Sequence, residues 1–235
     1  MNRIARVRLS LAACLPLTFA LAAAPAAVKI VLVGDSTVTD VSGWGAAFAA
    51  RLGPGAVCVN HAKSGRSSRS YVDEGHWAKA LAEKPDYVLI QFGHNDQPGK
   101  GPERETDPAT TYRAFLTRYI DEARASGAKP VLVTPMARRT FRGGRLADTL
   151  GPYAEAVRAV AATKGVPVVD LYARSTAAVE TMGSKAADAL GPVAKDGKPD
   201  RTHLSPEGAP TMAALVLDEL RKAVPALASH LVEKR

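Results

Sequence analysis

The run VKIVLVG, residues Val28 to Gly34, and the polar residues Asp35 and Ser36 that follow it set the fold class of this 235-residue chain. The apolar residues from Ile30 to Val33 are continuous and mostly β-branched, without alternating polar positions. This pattern is typical of a strand in a parallel sheet that is covered on both faces. In open α/β folds, the loops that follow such strands bind the ligand.

Four more runs of this kind alternate with segments of helical spacing. The predicted strands are 28–34, 56–60, 87–92, 130–134 and 167–171, and the predicted helices are 43–51, 77–83, 108–126, 152–164 and 206–226. Gly127 and Gly165 stand where helix C-termini favour glycine, and Ser205 and Pro206 fit the N-cap and first position of the last helix. This alternation predicts a three-layer α/β/α fold with right-handed crossovers, in which 97–107 and 138–151 are long loops.

Composition excludes several classes of protein. The chain is 46% hydrophobic, 23% charged and 6% aromatic, which is ordinary for a globular domain and not for a collagen-like or low-complexity protein. The net charge is +8, but the basic residues are interleaved with acids at helical spacing, so we expect no nucleic-acid partner. Two cysteines exclude a disulfide framework, and no Cys/His cluster has zinc-ligand spacing.

The N-terminal residues 1–26 have the features of a secretory signal peptide. Arg3, Arg6 and Arg8 precede an apolar stretch, and small residues then favour cleavage after Ala26. Two alternatives are a membrane-anchoring helix, for which the stretch is short, and lipoprotein processing at Cys14, which stands too early. We expect an exported protein, periplasmic or extracellular, without stable membrane association.

Cleavage there would leave a single domain, residues 27–235. Three of the eight net positive charges would be removed, so five would remain. Cys58 would be the only thiol, which excludes an intrachain disulfide, and we expect it to be buried and inert. We also expect this domain to be a monomer.

Four polar blocks carry the residue types of acyl transfer. Three follow predicted strands and contain Ser36, Gly65 and Asn95, and the fourth, Asp200-Arg201-Thr202-His203, precedes the last helix. A carboxylate three residues before a histidine can orient the imidazole, which can then activate a serine hydroxyl. Taken singly, these residues are weak signals, because Ser36 could cap a helix, Gly65 and Asn95 could be turn residues, and His203 could be structural.

The blocks Gly34-Asp35-Ser36, Gly65, Gly93-His94-Asn95-Asp96 and Asp200-Arg201-Thr202-His203 resemble the four blocks of the SGNH (GDSL-type) hydrolases. Gly43-Trp44-Gly45, Gly65-Arg66-Ser67 and His203-Leu204-Ser205-Pro206 make the sequence similar to the rhamnogalacturonan acetylesterase branch, which deacetylates pectic polysaccharide. The resemblance implies a flavodoxin-like, five-stranded parallel sheet in the order 2-1-3-4-5, with neither metal nor cofactor.

The resemblance also implies roles for individual residues. Ser36 would be the nucleophile, His203 the general base and Asp200 the residue that orients His203. The backbone N–H groups of Ser36 and Gly65, together with the side chain of Asn95, would form the oxyanion hole. Asp35 and Asp96 would hold their loops through hydrogen bonds.

Arginines near these blocks are candidates for substrate binding. Arg66, Arg69 and Arg138 follow the second and fourth strands at the binding edge, where a guanidinium could hold a galacturonate carboxylate. The alternative for Arg66 and Arg69 is an ion pair with Asp73 or Glu74 that braces the loop.

Three functions compete on these observations. The first is a carbohydrate O-acetylesterase that acts on an acetylated glycan, either pectic rhamnogalacturonan or another glycan such as xylan. The second is a lipolytic esterase, lysophospholipase or thioesterase, which would need an apolar acyl channel, whereas loops 97–107 and 138–151 are polar. The third is a non-catalytic glycan-binding module, which would be expected to lack one of Ser36, Asp200 and His203.

Overall fold

A parallel sheet forms the centre of the computed structural model, which describes residues 27–232. Its strands are β1 (Val28–Gly34), β2 (Ala56–Asn60), β3 (Tyr87–Gln91), β4 (Lys129–Val133) and β7 (Val168–Val169), and β5 (Phe141–Arg142) and β6 (Arg145–Leu146) form a separate hairpin. The order in the sheet is β2-β1-β3-β4-β7, which confirms the order that the family resemblance implied. The proposed signal peptide, its cleavage position and Cys14 lie outside the described residues.

Helices cover both faces of this sheet. They are α1 (Gly45–Ala49), α2 (Ser68–Asp73), α3 (His76–Ala82), α4 (Thr111–Ala125), α5 (Gly151–Lys164), α6 (Leu171–Asp188) and α7 (Ala209–Ala223), with a 3₁₀ helix at Pro225–His230. Ile30 and Leu32 of β1 belong to the core formed with α1, α6 and α7, whereas Val31 and Val33 belong to the core formed with α2 to α5. The three-layer prediction is confirmed, and β1 is continuously apolar because both of its faces are buried.

Two helices were not predicted from the sequence. In α6 most residues are small or polar, so the apolar period is weak, and Gly183 interrupts its helical geometry with φ of +71°. In α2 the short SRSYVD segment is capped by Ser67, whose hydroxyl accepts a hydrogen bond from the Ser70 N–H. Both helices form because tertiary packing and capping compensate for a weak local pattern.

Some predicted boundaries were wrong. Helix α7 begins at Ala209 and not at Pro206, because Ser205 Oγ and its carbonyl oxygen accept hydrogen bonds in a turn that precedes the helix. Loop 138–151 contains the β5–β6 hairpin, whose turn residues Gly143 and Gly144 have φ of +56° and +79°. Within the described residues, no helix is both long and apolar enough to cross a membrane.

Candidate active site

The predicted polar blocks meet at one edge of the sheet. The loops after β1, β2 and β3 are adjacent because these strands are neighbours. The Lys63 N–H donates to the Gly34 carbonyl at 2.9 Å, which joins the loops after β2 and β1. The segment 200–203 reaches the same edge, where the N–H of Leu204 donates to the carbonyl of Ser42 at 2.9 Å.

The loop that carries Ser36 is held by hydrogen bonds on both sides of this residue. Asp35 Oδ1 accepts from the Thr37 N–H at 2.9 Å and from the Thr37 hydroxyl at 2.7 Å. The hydroxyl groups of Thr39 and Ser42 donate to the Ser36 carbonyl oxygen at 2.7 and 3.1 Å. These contacts engage the backbone around Ser36 and leave its side chain available to another partner.

Two residues for which the sequence predicted no individual role support this loop. Trp44 Nε1 donates to Gln91 Oε1 at 3.0 Å, and Gln91 Nε2 donates to Thr37 Oγ1 at 2.7 Å. Trp44 and Gln91 are almost completely buried, so the chain of hydrogen bonds from Trp44 to Asp35 is shielded from water. A glutamine at the end of an otherwise apolar strand was the signal that could have identified it.

Ser36, His203 and Asp200 are joined by hydrogen bonds in one line. Ser36 Oγ and His203 Nε2 are 2.8 Å apart, and His203 Nδ1 and Asp200 Oδ2 are also 2.8 Å apart. Asp200 Oδ1 accepts from the backbone N–H groups of Thr202 and His203 at 2.8 and 3.0 Å. In this arrangement the imidazole can take the serine proton, and the carboxylate stabilises the resulting imidazolium.

The carboxyl group of Asp200 is kept ionised by its surroundings. Partial burial acts to raise its pKa, but the backbone N–H and imidazole of His203, with the N–H of Thr202, outweigh this effect. The pKa of Asp200 therefore lies below its ordinary value, which favours the charged carboxylate beside the imidazole.

The three predicted oxyanion donors come from three adjacent loops. Neither the Ser36 nor the Gly65 N–H makes a backbone hydrogen bond within residues 27–232. Gly65 has φ of +77°, and no atom lies within 4 Å of the position that a Cβ would take there. Asn95 Nδ2 donates to the Arg66 carbonyl at 3.1 Å, which uses one of its two hydrogens and brings Asn95 next to Gly65.

Asp35 and Asp96 are fully buried and accept hydrogen bonds within the loops, as expected for structural residues. Burial raises the pKa of Asp96 to about 7, although the hydroxyl groups of Ser68 and Thr106 donate to it. Burial has the same tendency at Asp35, but the nearby His94 and the donors of Thr37 hold its pKa below the ordinary value. His94 Nδ1 lies 3.5 Å from Asp35 Oδ2, a close contact without hydrogen-bond geometry.

The arginines predicted to bind substrate already have protein partners. Arg66 Nε donates to Glu74 Oε2 at 2.8 Å, which is one of the ion pairs considered as an alternative, and its Nη1 donates to the Ser64 carbonyl. Arg69 Nη1 donates to the Pro102 carbonyl at 2.8 Å. These contacts occupy part of each guanidinium and hold the loops after β2 and β3.

Arg138 lies on the other side of the site. Its Nη1 donates to Gln97 Oε1 at 2.5 Å and its Nη2 to the His94 carbonyl at 3.2 Å. Burial lowers the pKa of this guanidinium, and the charge of Asp35 partly opposes the effect. The next residue, Arg139, is completely buried and contacts the segment 200–203.

A cavity of about 500 Å³ opens beside Arg138 and Gln97. It is formed by the two predicted long loops, by Pro108 and by the first turn of α5, through residues Gln97, Pro98, Glu105, Thr106, Asp107, Pro108, Asp148, Thr149, Pro152 and Tyr153. Its carboxylates accept hydrogen bonds from the protein: Glu105 from Gly99 and Gly101, Asp107 from Ala109 and Thr110, and Asp148 from Gly151.

Other titratable residues do not join the site. His61 pairs with Glu83 at 3.2 Å, and His76 pairs with Glu74 at 3.0 Å. The thiol of Cys58 is partly buried, and burial raises its pKa to about 12, with the charge of Asp40 adding to the effect. Across residues 27–232, no three His, Cys, Asp or Glu side chains are grouped so that they could hold a metal ion.

Known proteins resemble this chain over most of its length. Residues 32–209 match the GDSL-like Lipase/Acylhydrolase family. The rhamnogalacturonan acetylesterase RhgT of Bacillus subtilis is 39% identical over 226 residues, which cover 88% of this chain and 95% of that protein. The probable rhamnogalacturonan acetylesterase YesY of the same organism is 34% identical over 214 residues, which cover 88% of this chain and 98% of that protein.

A solved structure supports the fold. The acetylxylan esterase Axe2 of Geobacillus stearothermophilus superimposes with a TM-score of 0.62 over 83% of this chain and 94% of its own, at 22% sequence identity. At that identity the likeness concerns the fold alone. The family match covers most of the chain and all the loops described above, so this protein belongs to the GDSL-like lipase/acylhydrolase family.

Proposed function

We propose that the protein is a serine esterase that removes O-acetyl groups from carbohydrate, with pectic rhamnogalacturonan as its substrate. The observation that carries the reaction is the line of two 2.8 Å contacts from Ser36 through His203 to Asp200. The evidence for the substrate is the identity of 39% to a rhamnogalacturonan acetylesterase, which covers 88% of this chain and 95% of that protein.

In the proposed mechanism, Ser36 Oγ attacks the acetyl carbonyl carbon while His203 Nε2 accepts the hydroxyl proton. The negative oxygen of the tetrahedral intermediate receives hydrogen bonds from the N–H groups of Ser36 and Gly65 and from Asn95 Nδ2. Each such donor typically contributes about 2.7–4 kcal/mol in the transition state. His203 then gives its proton to the sugar oxygen as the bond from this oxygen to the acetyl carbon breaks, so the sugar leaves with a free hydroxyl and acetyl-Ser36 remains.

Hydrolysis of the acetyl-enzyme repeats these steps with water. His203 Nε2 takes a proton from water, the hydroxide oxygen attacks the acetyl carbon, and the proton is returned to Ser36 as acetate leaves. Asp200 keeps its negative charge throughout and stabilises the imidazolium in both halves of the reaction. His203 takes part in each of these proton transfers.

The test is acetate release by the purified protein from acetylated rhamnogalacturonan, acetylated xylan and a medium-chain acyl ester. We expect release chiefly from the pectic polymer, and we expect Ser36→Ala to fold normally and to lose nearly all of the activity. Preference for the medium-chain acyl ester would contradict the proposal that the substrate is a pectic polysaccharide. Unchanged turnover by the Ser36→Ala variant would overturn the mechanism.

We also propose export through residues 1–26, which is supported by the basic start, the apolar stretch and the small residues before Ala27. Expression of the full chain in a Gram-negative host, followed by N-terminal sequencing of the periplasmic protein, tests this. A mature chain that starts at Ala27 is expected. A chain that starts at Cys14 and carries lipid would identify a lipoprotein instead.

A further inference from the structure

Two consecutive arginines after β4 contact two different loops of the active site. Arg138 and Arg139 follow Val133, the last residue of β4, by five and six positions. Arg138 contacts the loop after β3, which carries Asn95, whereas Arg139 contacts the segment 200–203. A single short piece of backbone is therefore connected to both halves of the catalytic arrangement around Ser36.

Arg139 binds the backbone of the segment that carries the acid and the base. Its Nη2 donates to the carbonyl of Asp200 at 2.7 Å and to the carbonyl of His203 at 2.5 Å. Its backbone N–H donates to the carbonyl of Arg201 at 2.9 Å. Arg139 thus binds three of the four backbone carbonyl groups from position 200 to position 203. They include the carbonyl groups of Asp200 and His203, whose side chains have the proposed catalytic roles.

The surroundings of Arg139 are unusual for a residue that serves stability alone. Its side chain is fully buried, and its Nε and Nη1 make no hydrogen bond among the described residues. The nearby carboxylate of Asp188 is engaged by Arg201, at 2.8 and 3.0 Å. Burial of a guanidinium that binds carbonyl oxygens without a paired carboxylate is unfavourable for folding, which points to a role other than stability.

Space around the guanidinium is also restricted. A Cβ added at Gly191 would overlap both the Nη2 group of Arg139 and the carbonyl oxygen of Asp200. The glycine therefore allows the arginine to approach the carbonyl group closely. The Asp200 carbonyl group thus lies close to both Gly191 and the guanidinium of Arg139.

Arg138 makes the corresponding contact on the oxyanion side. Its Nη2 donates to the His94 carbonyl, which belongs to the same peptide group as the Asn95 nitrogen. Its Nη1 donates to Gln97 Oε1, two residues beyond Asn95. Arg138 is in this way connected to the backbone directly before Asn95 and to the side chain of a residue two positions after it.

We propose that Arg138 and Arg139 are positioning residues that hold Asn95 and the Asp200–His203 pair in register around Ser36. This inference rests on the proposed esterase function. Displacement of a catalytic group by about 1 Å can cost about 100-fold in rate, so loss of either contact lowers kcat and leaves KM nearly unchanged. For Arg138 this role replaces the substrate contact that the sequence suggested.

The test compares Arg139→Met, Arg139→Lys, Arg138→Met and the matched control Arg145→Met in hydrolysis of 4-nitrophenyl acetate. Arg145 is exposed, lies on β6 and makes no side-chain hydrogen bond among the described residues. We expect Arg139→Met to lower kcat about 100-fold with KM changed less than about twofold. Arg139→Lys keeps a charged donor and recovers part of the rate, while Arg145→Met has wild-type kinetics.

A second readout separates positioning from general damage. The proton between His203 Nδ1 and Asp200 Oδ2 gives a far-downfield proton NMR signal when this hydrogen bond is ordered. We expect the signal to shift or broaden in Arg139→Met and in part in Arg139→Lys. It stays in place in Arg138→Met, which acts on the oxyanion side, although this variant also loses rate.

The outcomes that overturn the proposal are defined for each variant. Wild-type kcat and an unchanged signal in folded Arg139→Met contradict it, and so does a KM effect without a kcat effect in Arg138→Met. If Arg139→Met does not fold, the test uses kcat and the NMR signal of Arg139→Lys, and kcat and KM of Arg138→Met. If the wild-type protein is inactive on esters, the esterase function is refuted. The NMR signal does not depend on turnover, so it still shows whether Arg139 orders the hydrogen bond between His203 and Asp200.

Discussion

The carboxyl group of Asp96 accepts hydrogen bonds from both the N–H and the hydroxyl of Ser68, at 3.0 and 2.5 Å. Ser68 begins α2, just after the loop that carries Gly65, and Asp96 directly follows Asn95. Two donors of the proposed oxyanion hole are thus connected through a fully buried acid. The charge state of Asp96 therefore affects the stability of this part of the molecule.

We predict that stability falls between pH 4 and pH 7 because of Asp96. Burial raises the pKa of its carboxyl group from the ordinary 3.8 to about 7, so the folded chain binds a proton in a range where the unfolded chain does not. The free energy of unfolding then decreases as the pH rises through this range, by on the order of a few kcal/mol. Urea unfolding of the wild type and of Asp96→Asn at pH 5 and pH 8 measures this contribution.

The Asp96→Asn variant should lack this part of the pH dependence, because the amide does not ionise. Asp73→Asn, at an exposed aspartate of α2, is the control and should retain the wild-type slope. An Asp96→Asn variant with the same slope as the wild type would mean that other groups are responsible.

Asp200→Asn should lower kcat by on the order of 10³–10⁴-fold with little change in thermal stability. The asparagine could still contact His203, but it would favour the wrong tautomer and would not stabilise the imidazolium. Asp196→Asn, at an exposed residue before the same segment, should have normal kinetics. Steady-state kinetics on 4-nitrophenyl acetate measure both variants, and a loss below about tenfold would argue against the role of Asp200.

Arg66→Ala should raise KM for an acidic acetylated glycan several-fold and leave kinetics on 4-nitrophenyl acetate nearly unchanged. The side chain is about one third exposed, and its contacts with Glu74 and Ser64 use Nε and Nη1, which leaves Nη2 for a substrate carboxylate. Glu74→Ala separates the two roles, because it removes the ion pair and keeps the arginine. Equal losses on both substrates, reproduced by Glu74→Ala, would show that Arg66 braces the loop instead.

Pro152→Trp should weaken the binding of acetylated oligosaccharides and not that of 4-nitrophenyl acetate. Pro152 lines the cavity of about 500 Å³ beside Gln97, and it lies in the first turn of α5, where an indole would occupy the space without removing a hydrogen bond. Ala162→Trp, at an exposed position near the other end of α5, is the control. A Pro152→Trp variant with unchanged KM for long oligosaccharides would exclude sugar binding in this cavity.

Prediction from the sequence succeeded where local chemistry is decisive. Continuous β-branched runs identified the positions of the strands, because a strand that is buried on both faces is apolar at every position. The glycines at 127 and 165 marked helix ends, and their φ values of +87° and +57° explain why. The helix α6 was missed because its small side chains carry little periodicity, and packing against α7 stabilises it instead.

The sequence alone was enough to identify Ser36, Asp200 and His203 as candidates and to predict the sheet on which they are placed, because residue type and strand pattern are local properties. Which partners the charged side chains take was decided only in the tertiary structure. Arg66 pairs with Glu74, and Arg138 donates to the side chain of Gln97, 41 positions away, although both were candidates for substrate binding. Long flexible side chains can reach many partners, and only the packing of distant segments selects among them.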